Sequence, residues 1–84
     1  MDSKELAQKI TEFIGKDNIS SVSHCATRLR LIVKDKNKVN VPEIEKLEEV
    51  KGVLFDAGQY QIIFGDKLTK DIFKEISNLG YTSI

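Results

Sequence analysis

The chain has 84 residues, of which 40% are hydrophobic and 31% charged, the balance of one ordinary globular domain rather than of a disordered segment. Thirteen lysines and arginines balance thirteen acidic residues, so the formal net charge is zero. This charge argues against a general attraction to nucleic acid or to anionic membranes.

Compartment and redox class also follow from simple counts. The single cysteine cannot form an internal disulfide, so nothing indicates an oxidising compartment. The N-terminus lacks the apolar run of a signal peptide, and the longest apolar runs, such as Leu31–Val33, are far shorter than a membrane span. We therefore expect a cytoplasmic protein.

The first half of the chain predicts one helix and two strands. Asp2 heads a capping box of an amphipathic helix over residues 2–14. A strand is predicted over residues 19–25, and a second over 28–34, where apolar and polar residues alternate. Residues 35–38 read DKNK and indicate a turn or loop.

The second half predicts a short helix, two strands and a final helix. The short helix is predicted over residues 42–49, starting at a proline suited to a first helical turn. Strands over 50–55 and 59–64 are joined by the turn Asp-Ala-Gly at 56–58. The last helix is predicted over 65–80. Its buried stripe is predicted to comprise Leu68, Ile72, Ile76 and Leu79.

The predicted order of elements is αββαββα. Short connections between the paired strands favour antiparallel hairpins. We therefore predict an α+β fold, a four-stranded antiparallel sheet with helices packed on one face. The other face of the sheet then stays partly open for a partner.

Cys25 is the first candidate for chemistry. A lone cysteine in a small domain is more often a core residue than a catalyst. Here it falls between two predicted strands, so we expect it in or beside a loop, with polar and cationic neighbours. Nearby cations favour the nucleophilic thiolate.

Arg28 and Arg30 are two positions apart on one predicted strand, so their side chains share a face. They can be the solvated side of an edge strand. They can equally hold an oxyanion beside Cys25, because arginine presents paired donors to phosphate oxygens. The hydroxyl of Thr27 and backbone N–H groups of the turn could complete such a cradle.

Three familiar mechanisms fit poorly. A metal site is disfavoured, because His24 and Cys25 supply two adjacent ligands and no third is in view. A cysteine phosphatase places its arginine farther from the nucleophile, at the position that is Leu31 here. A papain-like protease needs a histidine distant in sequence. The reading that survives is a thiolate that accepts a group and passes it on.

Four other polar residues are possible supporting residues with open alternatives. His24 polarises the site or is an exposed neighbour without a role. Gln59 and Gln61 share a strand face, which is either a polar outer face or part of the cysteine site or of a docking surface. Asp35 pairs with an arginine or merely begins the loop.

Two runs of sequence carry a resemblance to a known family. HCATRLRLIVKD, with VKGVLFDAGQYQIIFG farther along, resembles the enzyme IIB domain of the bacterial sugar phosphotransferase system, of the glucose–sucrose–β-glucoside type. The similarity covers nearly the whole chain. The residues that carry it are Cys25, Thr27, Arg28, Arg30, Gly58, Gln59, Gln61 and Gly65.

The resemblance implies a phosphocarrier. Cys25 would receive a phosphoryl group from a phosphohistidine of enzyme IIA and hand it to a sugar held by the membrane enzyme IIC domain. Arg28 and Arg30 would be needed mainly in that second transfer, while Ala26 and Thr27 would bind the phosphate. No cofactor, Mg²⁺ or nucleotide is expected, since the donor would be a protein.

The same resemblance implies a setting. We expect residues 1–84 to be a single enzyme IIB domain of a longer chain that also carries enzyme IIC, on the cytoplasmic side of the bacterial inner membrane. The isolated domain is expected to be soluble and monomeric, with no nucleic-acid partner.

Other classes of function remain as rivals. The chief one is a docking or regulatory module that retains the fold while its thiol no longer turns over. A single-stranded nucleic-acid binder would need exposed aromatic residues on the sheet, and few are available. A redox sensor lacks a resolving cysteine.

Overall fold

The computed structural model describes all 84 residues and contains three α-helices, one turn of 3₁₀ helix and four strands. In chain order these are α1 (Ser3–Ile14), β1 (Ile19–His24), β2 (Arg28–Val33), the 3₁₀ turn (Lys36–Lys38), α2 (Val41–Glu45), β3 (Gly52–Asp56), β4 (Gln59–Ile63) and α3 (Asp66–Asn78). The predicted α+β class and the order αββαββα are confirmed.

The four strands form one antiparallel sheet in the order β1-β2-β4-β3. Strands β2 and β4 are therefore central and are paired with each other, while β1 and β3 are the edges. Directly opposed residues of antiparallel strands share a face. Ser23, Arg30, Gln61 and Leu54 consequently form one row across the sheet, on the face that we call the open face.

The other face of the sheet contributes to the core. Leu29 and Leu31 of β2 are fully buried, whereas Arg28 and Arg30 between and beside them are only half-buried. The alternation predicted for β2 thus places its apolar side chains on the helices and its arginines on the open face. The helices supply the rest of the core through regularly spaced apolar residues, such as Ile72 and Ile76.

Helix α1 begins and ends where the sequence predicts. The Asp2 carboxylate accepts the N–H of Glu5 at 2.8 Å, which satisfies one of the free donors of the first turn. Gly15 ends the helix with a φ of 106°, a conformation that glycine adopts without the steric cost of a Cβ.

Helix α3 corrects one prediction. Ile72 and Ile76 are fully buried, but Leu79 is 48% exposed, so it does not belong to the buried stripe. The helix ends at Asn78, and Leu79 is its C-cap, followed by Gly80 with a φ of 102°. The chain turns away before the helical period returns Leu79 to the core.

The middle elements are shorter than predicted or are displaced. Helix α2 ends at Glu45 rather than about Glu49, because the N–H of Leu47 bonds to the C=O of Ile44 in a tighter turn. Strand β3 runs over Gly52–Asp56 instead of residues 50–55. Its last residue is paired in the hairpin, since the turn consists of Ala57 and Gly58 alone.

The tail of the chain, residues 82–84, pairs with the edge of the sheet, which the sequence did not indicate. Val22 of the edge strand β1 donates its N–H to the C=O of Thr82 at 2.8 Å and accepts the N–H of Ile84 at 2.9 Å. The tail runs parallel to β1 and covers part of its free edge. None of the helices combines the length and the apolar character needed to cross a membrane.

Candidate functional site: a cysteine loop beside two arginines

Cys25, Ala26 and Thr27 form the loop between β1 and β2, and all three are exposed. The N–H of Cys25 donates to the C=O of Arg28 at 3.0 Å, which closes the hairpin. The C=O of Thr27 accepts the N–H of Phe64 at 2.8 Å, which ties the loop to the end of β4. Both ends of a short exposed loop are thus held by the sheet.

Two backbone donors of this loop are free. The N–H groups of Ala26 and Thr27 donate to no acceptor within the chain. Neighbouring free N–H groups in a tight turn are suited to an anion, because the partial positive charges of the donors add. The loop therefore presents two unused donors next to the cysteine.

Arg30 reaches the sulfur of Cys25. Its Nη2 donates to Sγ at 3.5 Å. Its Nε is buried and has no hydrogen-bond partner. A guanidinium group carries five N–H donors and no acceptor, so the Nη groups of Arg30 retain N–H donors for an anion attached to Sγ.

Arg28 is held by an amide of the neighbouring strand. Its Nη1 donates to Oε1 of Gln61 at 2.8 Å. The strand register places Gln61 opposite Arg30 and Ile63 opposite Arg28, so the Arg28 side chain reaches diagonally across the open face. Gln61 is buried, although it lies on the open face of the sheet. The open face thus holds two hydrogen-bonded pairs, Arg30 with Cys25 and Arg28 with Gln61.

The site carries unneutralised positive charge. The two ion pairs of the chain join Met1 to Glu49 and Lys46 to Glu43, and neither involves an arginine. Both guanidinium groups at the cysteine loop therefore keep their charge available for a ligand, although the chain as a whole is neutral.

His24 faces the other way. The register places it opposite the buried Leu29, on the helix side of the sheet. Its ring lies against Phe73 of α3, with 4.4 Å between the ring centroids. Its Nδ1 lies 3.3 Å from the C=O of Cys25, so its contact with the loop is with the backbone and not with the sulfur.

Asp35 and Gln59 are not brought to Cys25. Asp35 follows the far end of β2, where its carboxylate accepts the N–H of Asn37 at 2.9 Å and its own N–H donates to Asn18. It begins the 3₁₀ turn and pairs with no arginine. Gln59 shares the open face with Gln61 but lies opposite Ile32 and forms no hydrogen bond to either arginine.

Ser23 lies near the site and is a residue that the sequence analysis did not single out. The register places it directly opposite Arg30 and two positions before Cys25. The signal that could have found it is the short loop, since the length of a hairpin loop determines which residues of the two strands face each other.

A match to a family model agrees with this site. The model of the phosphotransferase system EIIB family matches residues 8–40, which include the cysteine loop and both arginines. A solved crystal structure of one domain of the PTS system IIabc component from Clostridium difficile superposes with a TM-score of 0.94 at 43% sequence identity. That alignment covers 98% of this chain and 86% of the other.

Relatives of known description lead to the same family. The sucrose-specific EIIBC component of the PTS system of Bacillus subtilis is 49% identical over 78 residues, which is 92% of this chain. The sucrose-specific EIIBC component of Pasteurella multocida is 45% identical over 94% of the chain. The chain spans 17% of the length of each of these two relatives.

The fold and the site define a small α+β domain that presents a cysteine next to two guanidinium groups. The chain belongs to the enzyme IIB domains of the bacterial sugar phosphotransferase system, of the glucose type. The resemblance that the sequence carried is thereby confirmed.

Proposed function

We propose that this domain is a phosphocarrier in which Cys25 transiently holds a phosphoryl group on its way to a sugar. The donor is a phosphohistidine of an enzyme IIA partner. The acceptor is a sugar bound by a membrane enzyme IIC domain. The observation that carries the proposal is the 3.5 Å contact between Cys25 Sγ and Arg30, in an exposed loop with two unused N–H donors.

The first transfer moves the phosphoryl group from nitrogen to sulfur. The Cys25 thiolate attacks phosphorus, an S–P bond forms, the N–P bond of the phosphohistidine breaks, and the imidazole nitrogen keeps the electron pair. Exposure of Cys25 supports this step, because the histidine of another protein must approach in line with the sulfur.

The second transfer moves the group from sulfur to oxygen. A sugar hydroxyl attacks phosphorus as it loses its proton to a base or to solvent, an O–P bond forms, and the thiolate of Cys25 leaves with the electrons of the S–P bond. Phosphoryl transfer depends mainly on positioning and on stabilisation of the charge on the phosphoryl oxygens. Arg28 and Arg30 supply charge, and Ala26 and Thr27 supply backbone donors beside the sulfur.

The names of the relatives support the proposed partners. Two of them are named as sucrose-specific EIIBC components, and a relative from Pediococcus pentosaceus is named a sucrose-specific EIIBCA component. We infer that this domain works next to a C component on the cytoplasmic side of the membrane and receives its phosphoryl group from an A component. Sucrose is accordingly the first sugar to assay.

The test is intact-mass spectrometry of the purified chain at neutral pH. The chain is incubated with phosphoenolpyruvate, enzyme I, the phosphocarrier protein HPr and an enzyme IIA, in parallel with Cys25→Ser. We expect the mass of the parent chain to increase by one phosphoryl group. Cys25→Ser should show no increase, because a hydroxyl is a far weaker nucleophile than a thiolate.

Two other outcomes would contradict the proposal. No gain in mass with several enzyme IIA proteins, while the thiol still reacts with iodoacetamide, would indicate a docking module that retains the fold. A gain that persists in Cys25→Ser would place the phosphoryl group on another residue.

A further inference from the structure

We infer that Gln61 is a positioning residue that directs Arg28 toward the phosphoryl group, and that its neutral amide leaves the charge of Arg28 available to that group. The inference rests on the proposed phosphocarrier function and deepens it. Gln61 touches neither the sulfur nor a substrate, so its effect must pass through Arg28.

The geometry indicates that Gln61 orients Arg28 and is not simply a polar residue of the protein surface. The Gln61 Oε1 accepts the N–H of Arg28 Nη1 at 2.8 Å, and Gln61 is 8% exposed. Its strand, β4, is central in the sheet and is paired on both sides. A buried amide on a central strand has little freedom, and it therefore restricts the orientation of the longer and more mobile arginine.

The chemical type of residue 61 explains the second part of the inference. A carboxylate at this position would form an ion pair with Arg28 and would repel a phosphoryl group that carries nearly two negative charges. An amide offers the same acceptor geometry without a charge. Neither arginine has an acidic partner in the structure, which agrees with a site that keeps its positive charge for an incoming anion.

The position of Gln61 also links the two arginines. It lies directly opposite Arg30 across the β2–β4 pair and bonds to Arg28. Arg30 is directed to the sulfur of Cys25. The bond to Gln61 therefore draws the Arg28 guanidinium toward the row of Arg30. Two guanidinium groups on neighbouring positions of one face can bind different oxygens of one phosphoryl group.

The first measurement is ¹⁵N NMR of the Arg28 Nη groups, which reports how fast the guanidinium group rotates. In the parent chain the hydrogen bond to Gln61 should slow rotation about the Cζ–Nη1 bond and give separate Nη signals. Gln61→Leu, which keeps the approximate size of the side chain, should merge these signals. Gln61→Glu should retain them, since a carboxylate also accepts from Arg28.

The second measurement is the affinity for inorganic phosphate, titrated through the amide signals of Ala26 and Thr27. Gln61→Leu should weaken binding about fivefold, because Arg28 must then be ordered by the ligand. Gln61→Glu should weaken binding at least about tenfold through its charge. Gln59→Glu is the matched control, with the same change on the same strand and face but no bond to Arg28, and should stay within about threefold.

A double-mutant cycle separates positioning from general stability. If Gln61 acts through Arg28, the addition of Gln61→Leu to Arg28→Gln should leave the phosphate affinity unchanged. Effects that simply add would overturn the inference. Unchanged Arg28 signals in Gln61→Leu, or phosphate binding by Gln61→Glu as tight as that of the parent chain, would overturn it as well.

These measurements need no phosphoryl donor, so they remain decisive if Cys25 is not phosphorylated and the proposed function fails. Where Cys25 is phosphorylated, the phosphoryl transfer to sucrose by membranes that contain the C component should follow the same order of variants. Normal transfer by the parent chain and by both Gln61 variants would reject the role of Gln61 alone.

Discussion

The guanidinium Nη2 of Arg30 lies 3.5 Å from the sulfur of Cys25, although the two residues are five positions apart in sequence. The hairpin loop reverses the chain between them, so that the start of β2 returns alongside the cysteine. The contact places a permanent positive charge beside the only thiol of the chain. Arg30 is therefore the residue whose replacement should affect the chemistry most directly.

Arg30→Lys should lower the rate of the proposed phosphoryl transfer from Cys25, assayed with sucrose, by about 100-fold, because an ammonium group lacks the paired, planar donors of guanidinium. The rate is measured by mixing the phosphorylated chain with membranes that contain the C component and following the loss of the phosphoryl mass. Lys34→Gln, which removes a cation just beyond the far end of β2, is the control and should change the rate less than about twofold. Equal rates for Arg30→Lys and the parent chain would contradict the prediction.

The stability of the domain should depend on the inner face of β2. Leu29 is fully buried, whereas Ile32 on the same strand is 36% exposed. Leu29→Ala should reduce the free energy of unfolding by about 3 kcal/mol, since it leaves a cavity in the core. Ile32→Ala should cost less than about 1 kcal/mol. Urea denaturation measures both, and similar losses would mean that the two faces of β2 are wrongly assigned.

The β3–β4 hairpin stores backbone strain at Ala57. Its φ is 52° and that of Gly58 is 79°, the left-handed pair required by a tight two-residue turn. Ala57→Asn should raise the free energy of unfolding by about 0.5 kcal/mol, because asparagine tolerates this conformation better than alanine. Gly58→Ala should lower it by about 1 kcal/mol.

Steric crowding does not cause the loss of stability expected for Gly58→Ala, since a Cβ at Gly58 would meet no atom within 4 Å. Thermal and urea unfolding of the two variants give the comparison. A Gly58→Ala variant as stable as the parent chain would indicate that the turn relaxes to another type.

An ion pair at the N-terminus makes the free energy of unfolding depend on pH in the alkaline range. The N-terminal ammonium lies 3.2 Å from Oε2 of Glu49. Its hydrogen bond to Glu49, and then the charge of that carboxylate, raise the pKa of the amino group above its ordinary value of 8.0. A pKa that is higher in the folded state means that the pair stabilises fully below the unfolded pKa and loses this effect as the pH rises through the folded pKa.

The stability difference between the parent chain and Glu49→Gln should therefore shrink as the pH rises above 8.0, the ordinary pKa of the amino group. Urea unfolding at a series of pH values measures it. N-terminal acetylation should abolish the pH dependence of the difference, and a difference that is constant with pH would refute the assignment to this pair.

The tail should loosen when its anchor is removed. The hydroxyl of Tyr81 donates to the C=O of Lys16 at 2.9 Å, just before the tail residues that pair with Val22. Tyr81→Phe should speed hydrogen exchange of the Ile84 N–H by about fivefold, the effect of one hydrogen bond. Tyr60→Phe is the control, because it removes a comparable hydrogen bond, from the Tyr60 hydroxyl to the C=O of Lys36. It should leave the hydrogen-exchange rate of the Ile84 N–H unchanged.

Local pattern predicted much of this molecule. The period of apolar residues identified α1 and α3, the alternation in β2 separated its core side chains from its arginines, and the cysteine fell in the predicted loop. These features depend on neighbours in sequence, where spacing and turn-forming residues carry the information. The contact between Cys25 and Arg30 belongs to the same class, because a short loop and the direction of the strand bring the two residues together, whereas Arg28 bonds to Gln61.

Other features depended on contacts between distant segments. The pairing of β2 with β4 brings Gln61 to Arg28, 33 positions away, and no local pattern distinguishes Gln61 from Gln59, which stays outside the cluster. The same holds for the tail on β1 and for Leu79, which helical spacing assigned to the core and the end of α3 exposes. The amino-acid pattern determined by itself which segments form helices and strands and which side of each is apolar. Only the tertiary structure decided which polar side chains meet, because strand register and helix ends follow from the packing free energy of the whole core and not from any single segment.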